Sequence, residues 1–233
     1  MKRKIACSNN LRKAESSLLH RDLIKSFNEE IGMIDNPLIN TEWNTDNNAA
    51  ELNKRYLKRK AAATQYKAEH QWSKYLFLHH RSYRFRVFNS IKNHLSDREY
   101  WNLLRDVWVD HEFLCDKKYL IKKLLTSNRP GRKNIMKHQE LKAFNRLSDN
   151  FLIYRGYEKG RGLGWSWTLN MDKAIWFASR WYQSDRNDSK PRILMSKANK
   201  KDVIAYFLSR NEDEIVIDPH KVNIIGKIYL DPT

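Results

Sequence analysis

The side-chain periodicity changes at Asn150, and that change restricts the chain to a fold with helices first and a sheet after them. From Ala49 to His94 there is no glycine or proline. Ala61, Ala62 and Ala63, among many Lys, Arg, Glu and Gln residues, favour helix, with a break expected near Arg81 to Arg86, where aromatic and basic residues interleave. Ser96 followed by Glu99 is a capping-box pattern ahead of Trp101, Leu104 and Trp108, which share one helical face. Two more helices are expected, over 116–125 and 135–147, separated by Ser127-Asn128-Arg129-Pro130-Gly131. After Asn150 the runs are short, aromatic and β-branched. Those at 151–157, 165–169, 192–196, 203–208, 214–218 and 222–230 read as strands. One helix interrupts them over 172–182, with Ala174, Phe177, Ala178 and Trp181 on one side. Ahead of all this, Leu11, Leu18, Leu19, Leu23, Ile24 and Phe27 fit an amphipathic helix over 11–30, and the Asn- and Asp-rich stretch 35–48 reads as a connector. The expected class is α+β, divided into an N-terminal helix and connector (1–48), a basic helical region (49–149) and a β core (150–233).

Charge separates these regions further. The chain carries 44 Lys+Arg against 27 Asp+Glu, a net charge of +17, which favours an anionic partner. Residues 151–233 hold 14 basic and 10 acidic side chains, leaving 30 basic and 17 acidic in residues 1–150. The excess therefore lies ahead of the β core. Cys7 and Cys115 build no disulfide framework and have no metal-ligand spacing, which suits a reducing cytosol. The start MKRKIACSNN is basic but lacks the apolar stretch of a leader, and no run approaches the roughly 18 to 20 apolar residues that span a bilayer. A cytoplasmic protein with no membrane partner is expected. His111-Glu112 lacks the second histidine of a zinc helix, so no metal is expected. Gly160, Gly162 and Gly164 lie ahead of a strand rather than a helix, so they read as a turn and not as a dinucleotide fingerprint.

The polar residues at the strand ends are the candidates for chemistry. Side chains two apart on a strand share a face, so Ser166 and Thr168 point together while Trp167 points away, and Glu212 and Glu214 lie side by side if both are extended. Arg155 can grip a phosphate or diphosphate through two parallel charge-assisted hydrogen bonds. Gly156 after it permits close approach of a ligand or another strand.

The order Tyr154-Arg155-Gly156, Ser166-Trp167-Thr168, a helix with Ala174 and Trp176-Phe177-Ala178, then Glu212-Asp213-Glu214 before Ile215-Val216-Ile217, resembles the Arg-Ser-Glu class of mono-ADP-ribosyltransferases. The likeness covers roughly residues 150–230. It departs from the family at the second strand, where Ser-Trp-Thr stands in place of the common Ser-Thr-Ser, and the segment before Glu212 is short. The resemblance implies a compact core of split sheets with one or more helices, and NAD as co-substrate. It implies that Arg155 binds the NAD diphosphate and adjacent ribose, and that Ser166 holds the site together and orients the catalytic carboxylate. Glu214 would hydrogen-bond the nicotinamide ribose and stabilise the oxocarbenium-like transition state, and Glu212 would orient or deprotonate the acceptor. Gly156, Trp167 and Thr168 complete the expected NAD-binding set.

The acceptor is a separate question. Glu-x-Glu resembles the arginine-modifying members of the family and points to protein arginine. The basic region, with Lys54 to Lys60 and Tyr83-Arg84-Phe85-Arg86, instead suits a phosphate backbone and stacked bases, and so RNA. The expectation is transfer of ADP-ribose to nucleic acid by a bacterial or phage toxin or antiviral effector, with an antitoxin as a further partner. Transfer to protein arginine, NAD hydrolysis with water as acceptor, and a non-catalytic nucleic-acid-binding protein are the alternatives.

Overall fold

The computed structural model describes residues 18–28, 30–42, 49–111, 118–157, 163–182 and 191–230, in two compact units, Met1–Leu95 and Ser96–Thr233. Helices dominate the N-terminal half of the chain and strands the C-terminal half.

The first unit begins with a short helix, α1 (Arg21–Ile24), and a small antiparallel sheet of β1 (Phe27–Asn28), β2 (Met33–Asp35) and β3 (Asn40–Glu42). This corrects the helix expected over 11–30, of which 11–17 and 29 lie outside the described residues, and the first part of the connector expected over 35–48, of which 43–48 lie outside them. The chain leaves the helical path after Ile24 and turns back at Gly32, whose φ of 65° is in the left-handed region that favours glycine. The apolar spacing that suggested a longer helix instead serves a mixed core. Leu19 and Leu23 pack with Ile34 and Ile39 against Ala49, Leu52 and Tyr56. The last three belong to α2 (Ala49–Ala68), which is followed by α3 (Trp72–Leu78) and α4 (Arg84–Ile91). The break between α3 and α4 falls at His79, which is extended at φ −80°, ψ 150°.

The second unit opens with α5 (Asp97–Asp110), α6 (Lys118–Leu125) and α7 (His138–Arg146). The capping box forms at the start of α5: the Glu99 N–H donates to Ser96 Oγ at 3.3 Å, and the Ser96 N–H donates to Glu99 Oε2 at 2.9 Å. The strands are β4 (Asn150–Tyr157), β5 (Ser166–Thr168), β6 (Arg192–Asn199), β7 (Val203–Phe207), β8 (Glu214–Ile217) and β9 (Ile224–Tyr229), with α8 (Met171–Tyr182) after β5. They form one sheet in the order β7-β8-β5-β4-β6-β9, every neighbouring pair antiparallel.

Among the described residues, two three-stranded halves, β7-β8-β5 and β4-β6-β9, meet through a short ladder in which Tyr154 pairs with Thr168. Thr168 also pairs with Glu214, so Tyr154, Thr168 and Glu214 share one face of the sheet, joined two residues along by Gly156 and Ser166. On that face α8 packs Ala174 and Ala178 against Ile193 and Tyr154. The opposite face carries the main core, in which Ile153, Trp167, Leu194, Ile215 and Ile217 pack with Ala143, Phe144 and Leu147 from α7 and its end.

Candidate active site

Glu214 is the first residue of β8 and is only 5% exposed. A carboxylate in that position needs partners, because burying an unsatisfied charge is costly. It has two from distant elements. The Trp108 Nε1–H on α5 donates to Glu214 Oε1 at 3.1 Å, and the Ser166 hydroxyl on β5 lies on the same face of the sheet, near enough to favour the charged form of the carboxyl group. Burial pushes the Glu214 carboxyl above the usual carboxylate range; the Ser166 hydroxyl and the Trp108 N–H pull it back, and the nearby charge of Glu212 pushes it up again. Such a group can stabilise positive charge in a poorly screened site or carry a proton.

Glu212 reaches this neighbourhood by a route the strand pattern did not anticipate. It is not extended: its φ and ψ are −100° and −12°, and β8 starts only at Glu214. The side-by-side placement expected from strand alternation is therefore corrected. The turn ahead of β8 places three non-glycine residues in the left-handed region, Arg210 at φ 62°, Asn211 at 54° and Asp213 at 46°. Conformations of this kind cost about 1 kcal/mol or more each and persist where the surroundings fix them. Here Thr168 Oγ1 donates to the Glu212 carbonyl at 2.6 Å, the Leu169 N–H to the Asp213 carbonyl at 3.1 Å, and the Tyr206 hydroxyl to Asp213 Oδ1 at 2.9 Å. Arg210 Nη2 lies 3.2 Å from Glu212 Oε2.

The remaining expected residues divide by what they touch. The Thr168 hydroxyl also accepts from the Asn170 N–H at 3.0 Å, so it ties β5 to the turn before β8. Trp167 faces the main core, 2% exposed, with its Nε1–H donating to the Gly164 carbonyl at 3.1 Å. That position corrects its assignment to an NAD surface. At Gly156 the close approach is made by a helix: a Cβ would lie 2.5 Å from the Ala178 nitrogen and 2.7 Å from the Ala174 carbonyl oxygen. Arg155 extends towards β5, where its Nη1 donates to the Ser166 carbonyl and its guanidinium lies against Gly164. Arg155 thus crosses the seam between the sheet halves and fixes the backbone that carries Ser166.

Three residues of this centre had no functional signal in the sequence. Trp108 read only as part of an apolar helical face, and nothing in its spacing links it to a glutamate 106 residues later. One turn earlier on α5, Arg105 forms a buried ion pair with Glu140 on α7, through Nη2–Oε1 at 2.9 Å and Nε–Oε2 at 3.3 Å. Glu140 also accepts from the Leu208 N–H at 3.2 Å, at the start of the turn that leads to Glu214.

In the first unit, Lys54, Arg55 and Lys58 are exposed on α2. The interleaved stretch at 83–86 is less available than its composition suggested. Phe85 is fully buried, and Arg84 donates to the His79 carbonyl at 3.0 Å while lying over the Phe77 ring. Arg86 remains exposed over the Tyr83 ring. Among the described residues, no cluster of three His, Cys, Asp or Glu side chains is placed to hold a metal ion, and no helix is long and apolar enough to cross a membrane.

Comparison with protein-family models, with curated proteins and with solved structures finds no match to this chain.

Proposed function

We propose that this protein is an NAD-dependent mono-ADP-ribosyltransferase that releases nicotinamide and transfers ADP-ribose to a macromolecule, RNA foremost, as a toxin-like effector. The observation that carries this reading is the buried Glu214 carboxylate, 5% exposed, held by the Trp108 N–H on the face of the sheet that also carries Ser166 and Thr168. The residues named by the resemblance come from well-separated stretches, yet β4, β5 and β8 are consecutive in the sheet. In the proposed reaction the bond between the ribose C1′ and the nicotinamide nitrogen breaks, and its electron pair leaves with nicotinamide. Glu214 stabilises the cationic sugar through a preorganised charge; losing one such group costs about 10²- to 10³-fold in rate. The acceptor's nucleophile then bonds to C1′, and Glu212 takes its proton. Arg155 leaves β4 on the face opposite Glu214 and acts first by holding β5 at the Ser166 carbonyl; it binds the diphosphate only after exchanging that contact.

The RNA reading is supported by charge. Residues 1–95 contain 18 basic and 9 acidic side chains, and Lys54, Arg55 and Lys58 line one exposed stretch of α2. The test is incubation with NAD labelled in its adenylate part and total cell lysate, followed by separate nuclease and protease digestion. Label lost to ribonuclease is the expected result. Label lost only to protease moves the acceptor to protein. Nicotinamide release without macromolecular label, unchanged in Glu212→Gln, makes water the acceptor.

A further inference from the structure

Trp108 has a bond that its packing alone does not require. It is 3% exposed, and indole offers a donor and no acceptor, so its buried N–H has to find an oxygen. On the same helix, Trp101 meets that need with a backbone carbonyl, donating to Pro130 at 2.8 Å. Trp108 donates instead to the side chain of Glu214. We propose that Trp108 is a positioning residue whose indole N–H holds the Glu214 carboxylate as an oriented anion, making α5 part of the active centre. The inference rests on the reading of Glu214 as the carboxylate that faces the NAD ribose.

The chemistry of the two donors differs. A serine hydroxyl can donate to a carboxylate or accept from a carboxylic acid, so Ser166 accommodates either protonation state. Indole can only donate, and its bond is stronger when the acceptor is charged. The other groups around Glu214 do not duplicate this role. From the preceding turn, Glu212 opposes ionisation of Glu214 and Arg210 favours it, and these two are paired with each other at 3.2 Å. Asp213 accepts from Tyr206, and Arg105 on α5 is paired with Glu140 while its guanidinium lies over the Phe207 ring. Across the strand pairing, the residue opposite Glu214 on β7 is Phe207, which does not titrate.

The test replaces the donor in the full-length protein in two ways. Trp108→Phe removes the N–H and part of the ring; benzothienylalanine at position 108 removes the N–H and keeps the bicyclic shape. Two quantities are read for each: the titration of Glu214 by ¹³C-carboxyl NMR, assigned by loss of its signal in Glu214→Gln, and the pH profile of nicotinamide release. The expected result in both variants is a Glu214 midpoint raised by about one to two pH units, the worth of one hydrogen bond to a charged group. The acid limb of nicotinamide release moves with it, so that the deficit against wild type is largest at low pH and narrows above the new midpoint. A merely structural tryptophan lowers activity at every pH and leaves the midpoint in place. Superimposed titrations in the benzothienylalanine protein overturn the proposal, as does a higher kcat/KM for NAD at every pH, which makes Trp108 a plug. A shifted midpoint in a protein that releases no nicotinamide even as wild type overturns the enzyme reading and leaves the Trp108 hold on Glu214 standing.

Discussion

Glu140→Ala is expected to destabilise the protein by about 3–5 kcal/mol, the cost of leaving one charge of a buried pair without its partner. Arg105 and Glu140 side chains are 8% and 5% exposed, and without Glu140 the buried guanidinium keeps the longer, half-exposed contact of Nη1 with Asp106 Oδ1 at 3.4 Å. The same substitution removes the acceptor for the Lys137 N–H, at 2.7 Å, and for the Leu208 N–H, at 3.2 Å. Both donors lie nearer the surface, and water can satisfy them at small cost. If desolvated charge dominates, the double variant Arg105→Met with Glu140→Leu is more stable than Glu140→Ala, because it removes both charges and fills the space they occupied. Urea denaturation followed by tryptophan fluorescence measures both, with the slope checked for constancy before midpoints are compared. A Glu140→Ala loss below about 1 kcal/mol is the value of an exposed ion pair and refutes the reasoning.

Gly156→Ala is expected to cost about 1–3 kcal/mol by forcing α8 away from β4, since the added methyl meets helix backbone rather than a movable side chain; thermal or urea unfolding reads it, and a neutral result removes the close-packing role. Glu214→Gln tests the buried carboxyl through stability. Because burial raises the Glu214 carboxyl, the folded protein binds more protons than the unfolded chain between the ordinary and the raised value. This contribution to stability is therefore present at low pH and is lost as pH rises through the raised value. Gln titrates nowhere in this range, can accept from Trp108 and can donate to Ser166, so the Glu214→Gln protein is expected to lack that decline and to have the higher Tm at neutral pH. Parallel Tm curves against pH for the two proteins contradict it.

The strands of the second unit were legible because each carries its own signature. Phe151–Tyr157 and Val203–Phe207 are β-branched and aromatic, and Ser96 with Glu99 marks the start of α5 with a pattern that needs no tertiary context. The turn at 209–213 was not legible. Arg210, Asn211 and Asp213 have no local preference strong enough to announce left-handed backbone, and it is Thr168, Leu169 and Tyr206, distant in sequence, that hold it. Leu19 and Leu23 suggested a longer helix because their spacing satisfies helical and mixed cores equally; Gly32 and the small sheet decide between them. Of the candidate site, Ser166 and Thr168 were legible as a pair on one face, while the link from Ser166 to Glu214 came only from the family resemblance. Trp108 was not, because it contributes through a single buried N–H and otherwise behaves as a core residue. Asn150 marks the change of period, but the compact unit begins at Ser96, since α5 and α7 bring Trp108, Arg105 and Glu140 to the strands.

The most direct test of the central claim is nicotinamide release from NAD by the purified wild-type protein beside Glu214→Gln, with folding of both verified by circular dichroism. The result expected is release by the wild type and a loss of about 10²-fold or more in the variant, the size of one preorganised charge removed from the transition state. No release by either protein, or equal release by both, contradicts the assignment of Glu214 as the carboxylate at which NAD is cleaved.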